Sequence, residues 1–259
     1  MNPLSAKTIL LFLSLKYKGD WESIYEAIRK KEKFSREEAL EAEKNIKCNV
    51  LAITDDEYPE ALKSCFKPPF ILYYYGDLNC IQKECRCVSY VGSREASSYG
   101  KKMAEEISGE LASRNYTIVS GMAKGIDGAA TRAALNAGGK AVGVLGSGID
   151  VCYPMENQDI YDRLKREGLL ISEYPPGVKP NKDNFPLRNR IIASLSKLTI
   201  VGEADKKSGT LITVGYALEG GKEVGCLPYR ADENSACNAL IRDGASMITC
   251  IDDVLNLLI

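Results

Sequence analysis

Three short runs of this chain set glycine beside hydroxyl and cationic side chains. They are Gly92-Ser93-Arg94, Ser120-Gly121-Met122-Ala123-Lys124-Gly125-Ile126-Asp127 and Ser208-Gly209-Thr210. Glycine lets backbone N–H groups close on an anion, and a helix starting just beyond adds a favourable dipole. Ser93 with Arg94, Ser120 with Lys124, and Ser208 with Thr210 can therefore converge on phosphate groups. The alternative for each loop is that Gly92, Gly121 and Gly209 only make a tight turn from strand to helix. A fourth run, Phe185-Pro186-Leu187-Arg188-Asn189-Arg190, follows a long polar loop from Pro175 to Asn184. Arginine forks suit phosphate oxygens, and an exposed Phe can stack on a base. The competing reading puts Phe185 in the core and pairs Arg188 or Arg190 with Glu173 or Glu203. We expect one arginine at each task.

Other chemistries are excluded or weakened by what the sequence lacks. It contains no histidine, which removes Ser-His-Asp and Cys-His catalysis and His-based zinc hydrolysis. Neither G-x-G-x-x-G nor G-x-x-x-x-G-K-[ST] occurs, so dinucleotide binding of the usual kind and P-loop ATP hydrolysis have no support. The nine cysteines are an odd number without a disulfide framework. Cys80, Cys85 and Cys87 cluster, but their C-x₄-C-x-C spacing is not the usual zinc pattern. Reduced thiols in a cytoplasmic protein, with no cofactor, are the reading we adopt. The net charge of −1 gives no global basic field, so nucleic-acid affinity requires a local patch. The apolar stretch Thr8–Leu15 is too short to span a bilayer, and no membrane partner is expected.

Positioning these loops requires strands that end where they begin. Val88–Val91, Thr117–Val119, Lys140–Leu145, Leu169–Ser172 and Leu198–Val201 read as apolar strands, and helices follow Gly92, Gly121 and Gly209. Glu223–Leu227 and Ser246–Ile248 read as late strands, and Phe70–Tyr75 starts or edges the sheet. Continuous apolar strands alternating with helices imply an α/β fold with a parallel sheet covered on both faces. Ligands of such sheets sit beyond the strand C-termini. Residues up to about Leu62 read as helical, with Ser35-Arg-Glu-Glu38 as a capping box. The expected division is a small helical accessory domain over 1–65 and a Rossmann-like domain over 66–259.

The glycine loops, Tyr153-Pro154 with Glu156-Asn157, Ser172-Glu173-Tyr174-Pro175-Pro176-Gly177, Phe185–Ala193, Ser208–Thr213 and the run Asn238–Ala245 occur in one order. Over residues from about 70 to 258 this array resembles the DNA-processing protein A (DprA/Smf) family. The resemblance implies an extended Rossmann-like parallel sheet with a mixed edge and a small, SAM-like N-terminal helical domain. It also implies a non-enzymatic role in DNA uptake: binding and protecting incoming single-stranded DNA and helping load a RecA-type recombinase. A homodimer is implied, and Thr210–Glu219 or Ala236–Arg242 are our candidates for its contact. The residues carried over for DNA are Arg94, Lys124, Lys182, Phe185, Arg188, Asn189 and Arg190. Ser120 and Ser208 to Thr210 would line the same crevice.

Departures accompany the match. Thr131 stands where many relatives have histidine, Leu227-Pro228-Tyr229 replaces a Pro-Gly turn, and no C-terminal winged-helix domain is expected. Two rival functions remain: a nucleoside monophosphate phosphoribohydrolase using Glu173 or Glu203, and a small-nucleotide sensor using the same pocket.

Overall fold

The computed structural model describes residues 4–82 and 86–259. The chain opens with α1 (Ala6–Lys16), α2 (Trp21–Arg29) and α3 (Arg36–Asn45), capped by Ser5, Asp20 and Ser35. Each cap oxygen accepts a backbone N–H three residues on, removing one orphan donor, and Ser35 with Glu38 completes the capping box read from the sequence. Leu13, Ile24 and Ala27 form a small core of their own. Leu10 and Leu11 instead join the main core, where the Tyr73 hydroxyl donates to Ser14 Oγ at 2.9 Å.

The helical reading up to Leu62 gives way at Asn49. β1 (Asn49–Ala52) pairs antiparallel with β2 (Ile71–Gly76), and only α4 (Glu60–Lys63), one turn long, is helical between them. Leu51 and Ala52 are buried in the cores on opposite faces of the sheet, the period of a strand. A four-residue apolar run is too short for periodicity to separate strand from helix.

From Arg86 the expected alternation is present: β3 (Arg86–Gly92), α5 (Ser98–Ser113), β4 (Tyr116–Ser120), α6 (Ile126–Asn136) and β5 (Ala141–Leu145). There follow α7 (Gln158–Glu167), β6 (Leu169–Ser172), α8 (Asn184–Leu195), β7 (Leu198–Glu203) and α9 (Thr210–Glu219). The chain closes with β8 (Glu223–Cys226), α10 (Ala236–Arg242), β9 (Ser246–Met247) and α11 (Ile251–Asn256). The nine strands lie in the order β1-β2-β6-β5-β4-β3-β7-β8-β9. All pairings from β6 to β9 are parallel, whereas β2 is antiparallel to both neighbours. This is the mixed edge on an otherwise parallel sheet. Along β3, Cys87 and Val91 enter the core on one face, and Val88 and Tyr90 that on the other. Both faces are covered, as a parallel sheet requires.

The chain winds one way from β3 through β4, β5 and β6, and the other way from β7 through β8 to β9. Loops leaving β3 and β7 therefore part in opposite directions, which opens a crevice at their C-terminal ends. Cys80 and Cys87 are buried, and the Cys87 thiol donates to the Cys80 carbonyl at 3.4 Å. Cys85 lies outside the described residues. Among the described residues, no helix is long and apolar enough to cross a membrane.

Candidate functional site

Ser93 N–H donates to the Glu203 carbonyl at 2.7 Å, and Ile126 N–H to the Ser93 carbonyl at 3.1 Å, locking the three loops around the switch point together. The crevice they leave encloses about 730 Å³. Gly92, Ser93 and Arg94 form one side, Ser208, Gly209 and Thr210 another, and Lys182, Phe185, Arg188 and Asn189 come from the loop before α8 and its first turns. Ten of the residues selected from sequence thus meet in one concavity. Arg94, Lys182 and Lys207 are exposed at it, and among the described residues none of the three has an acidic partner.

Arg188 forms the floor. Its side chain is buried, and Nη1 donates to the Gly121 carbonyl at 2.7 Å and to that of Val144. Burial lowers its guanidinium to about 10, against the pull of nearby Asp127. Asp127 accepts the amides of Gly92 at 3.2 Å and Gly121 at 3.0 Å. Burial raises its carboxyl from the usual range, while Arg188 and those amides oppose the rise. One carboxylate thus ties the first two glycine loops together beneath the crevice. Its signal in the sequence was an acid in the first turn of a helix, where the dipole favours it.

Phe185 is half-buried and packs so closely on Gly146 that a Cβ there would stand 2.6 Å from the ring. The Arg94 and Arg188 guanidinium carbons lie 5.6 and 5.9 Å from its centroid. Asn189 accepts from Arg188 Nε at 3.2 Å and donates from Nδ2 to the Gly209 carbonyl at 3.5 Å. Ser208 and Thr210 hydrogen-bond each other through their hydroxyls at 2.9 Å.

Five sequence assignments change. Arg190 is fully buried and faces away from the crevice, its Nη2 holding both Glu173 oxygens at 2.7 and 2.8 Å. Arg190 thus takes the structural task, paired with Glu173 as the competing reading allowed. Ser120 is buried with its hydroxyl committed to the Tyr90 carbonyl at 2.9 Å, and Gly121 is buried beneath Arg188. Glu203 pairs with neither arginine: it accepts from Ser97 Oγ at 2.6 Å and from the Tyr229 hydroxyl at 3.0 Å. Lys124 lines a smaller adjoining cleft and pairs with Glu156 of the turn before α7.

That pair predicts a gain of function. If the crevice takes a single-stranded oligonucleotide, Glu156→Gln should raise its affinity a few-fold by releasing Lys124, and the logarithmic salt slope should steepen by about 0.7, the mark of one more neutralised phosphate. Lys124→Ala in the parent should change little. Titrations at several salt concentrations check this, and a Lys124→Ala loss as large as that of Arg94→Ala would contradict it.

The model of DNA recombination-mediator protein A matches residues 49–259. The chain belongs to that family. It is 42% identical over 198 residues to protein Smf of Synechocystis, covering 75% of this chain and half the length of that relative. The X-ray structure of DNA processing protein A from Streptococcus pneumoniae superposes with TM-score 0.78 at 35% identity, over 98% of this chain and 93% of that one. DNA processing protein A from Helicobacter pylori, whose structure is described for its single-stranded DNA binding mode, gives TM-score 0.75 at 30% identity. It covers 83% of this chain and 96% of that one. Family membership accounts for the order of the loops; which of their residues touch a ligand is a matter of the geometry above.

Proposed function

We propose that the crevice binds single-stranded DNA and that the protein acts without catalysis as a recombination mediator. In this reading it shields incoming DNA during uptake and assists loading of a RecA-type recombinase in the cytoplasm. Two copies associate through the Rossmann-like part, so that one strand crosses two crevices with added avidity. The observation that carries the reading is the group of exposed cations, Arg94, Lys182 and Lys207, which have no acidic partner among the described residues and stand around an open crevice with aromatic side chains in its wall. Backbone neutralisation plus stacking is the chemistry of sequence-tolerant single-strand binding. Family membership and the Helicobacter relative support it.

The hydrolase reading is weaker, because both carboxylates it relied on are engaged. Glu173 is buried against Arg190, and Glu203 holds Ser97 and Tyr229. A catalytic carboxylate needs a free oxygen facing the ribose.

Arg94→Ala is the deciding variant. Oligonucleotide affinity should fall by about 1.5–3 kcal/mol, the scale of a charge-assisted hydrogen bond. The melting temperature should stay within a degree or two, since Arg94 is exposed and outside the core. An early-melting variant that binds normally while folded would remove Arg94 from the site.

A further inference from the structure

We infer that Tyr153 is a base-stacking platform of this crevice, a role that selects unpaired nucleobases over duplex. The inference rests on the single-stranded DNA reading above.

Tyr153 lines both the main crevice and the adjoining cleft, and 44% of it is exposed. Its hydroxyl makes no hydrogen bond among the described residues. A large ring held at a cavity wall without a polar anchor offers its π-face rather than its oxygen. Phe185, the aromatic selected from sequence, has less to offer. It rests on Gly146, Arg94 and Arg188 approach its ring, and Tyr153 lies 5.5 Å away at 31°. Phe185 backs the platform, and Tyr153 presents it.

The backbone carrying Tyr153 is fixed on both sides. Ser147 Oγ donates to the Val151 carbonyl at 2.9 Å, and Pro154 is buried. Asn157, also buried, donates from Nδ2 to the carbonyls of Met122 at 3.0 Å and Ala123 at 2.9 Å. The segment is thereby pinned to the loop that carries Lys124. A ring on a pinned segment loses little freedom when a base lands on it, so most of the stacking energy appears as affinity. The arrangement also sets the ligand class. A base inside a duplex has both faces covered and cannot reach the ring, whereas an unstacked base beside a backbone held by Arg94 can.

The test compares Tyr153→Ala, Tyr153→Phe and Arg94→Ala on two probes of equal length, an oligothymidylate and an oligomer of abasic sites. Stacking predicts that Tyr153→Ala binds the oligothymidylate roughly tenfold more weakly. The same variant should bind the abasic strand like the parent, and Tyr153→Phe should match the parent on both. Arg94→Ala should weaken both probes alike. Equal losses on both probes for Tyr153→Ala, or no loss on either, would overturn the platform. If Arg94→Ala also left both probes unaffected, the single-strand reading itself would fall.

Discussion

Arg190→Met should destabilise the protein by about 3–5 kcal/mol, the cost of stripping one partner from a buried ion pair. Arg190 has no exposed side-chain surface and Glu173 only 4%. The lost guanidinium leaves more than a carboxylate behind. Nε donates to the carbonyls of Phe66 at 3.0 Å and Lys67 at 2.9 Å, and Nη1 to that of Leu187 at 2.8 Å. Those groups join the linker before β2, the first turns of α8 and the end of β6. Burial already pushes the Glu173 carboxyl up, and Arg190 opposes the rise. Without Arg190 that opposition ends, so the folded-state pKa climbs further above the unfolded one. A carboxyl raised in this way favours folding below its unfolded pKa and loses that contribution as pH rises through the folded value. The variant's deficit should therefore shrink on acidification from pH 7 toward pH 5. Denaturant unfolding at the two pH values measures it; a deficit below 1 kcal/mol, or one independent of pH, would contradict the account. Oligonucleotide affinity of the folded variant should change far less than for Arg94→Ala, since Arg190 lies outside the crevice.

Gly125→Ala should cost about 2–5 kcal/mol and weaken DNA binding in the fraction that stays folded. Gly125 has φ 73° and ψ −123°, a conformation closed to side chains. A Cβ there would stand 2.2 Å from the Ser93 carbonyl oxygen and 2.7 Å from that of Arg94. Relieving that overlap moves the backbone of Arg94, the arginine proposed to hold phosphate, so stability and affinity should fall together. Gly209→Ala is the control for stability: its φ is −59° and nothing lies within 4 Å of the added carbon. A Gly125→Ala protein with parental melting temperature and affinity would mean that the two loops are not interlocked.

The glycine loops, the strands before them and the crevice they surround were legible because each rests on local chemistry. An apolar strand, a small residue at its end and a helix start can be read within about fifteen residues. What escaped depends on contacts between distant segments. Arg188 and Arg190 have the same chemistry and lie two positions apart on α8, about 200° around its axis. Nothing local says that one faces the crevice and the other Glu173. Ser120 looked like a phosphate donor until the Tyr90 carbonyl appeared beside it. Asp127 and Tyr153 stood inside recognisable runs, yet their tasks emerge only when Gly92, Gly121 and Phe185 are placed around them. The helical reading failed at β1 because four residues cannot display a period.

The antiparallel edge bears on how the chain is made. Tyr73 of β2 pairs with Ser172 of β6, whose residues leave the ribosome about a hundred positions later. At roughly 5–20 residues per second, β1 and β2 wait on the order of 5–20 s as a hairpin before their seat in the sheet exists. During that interval Ile71, Leu72 and Tyr73, all fully covered in the finished protein, have only β1 and the first helices to shelter them. Synthesis halted before Leu169 therefore leaves an apolar strand with an open edge, the kind of segment that chaperones hold and proteases clear.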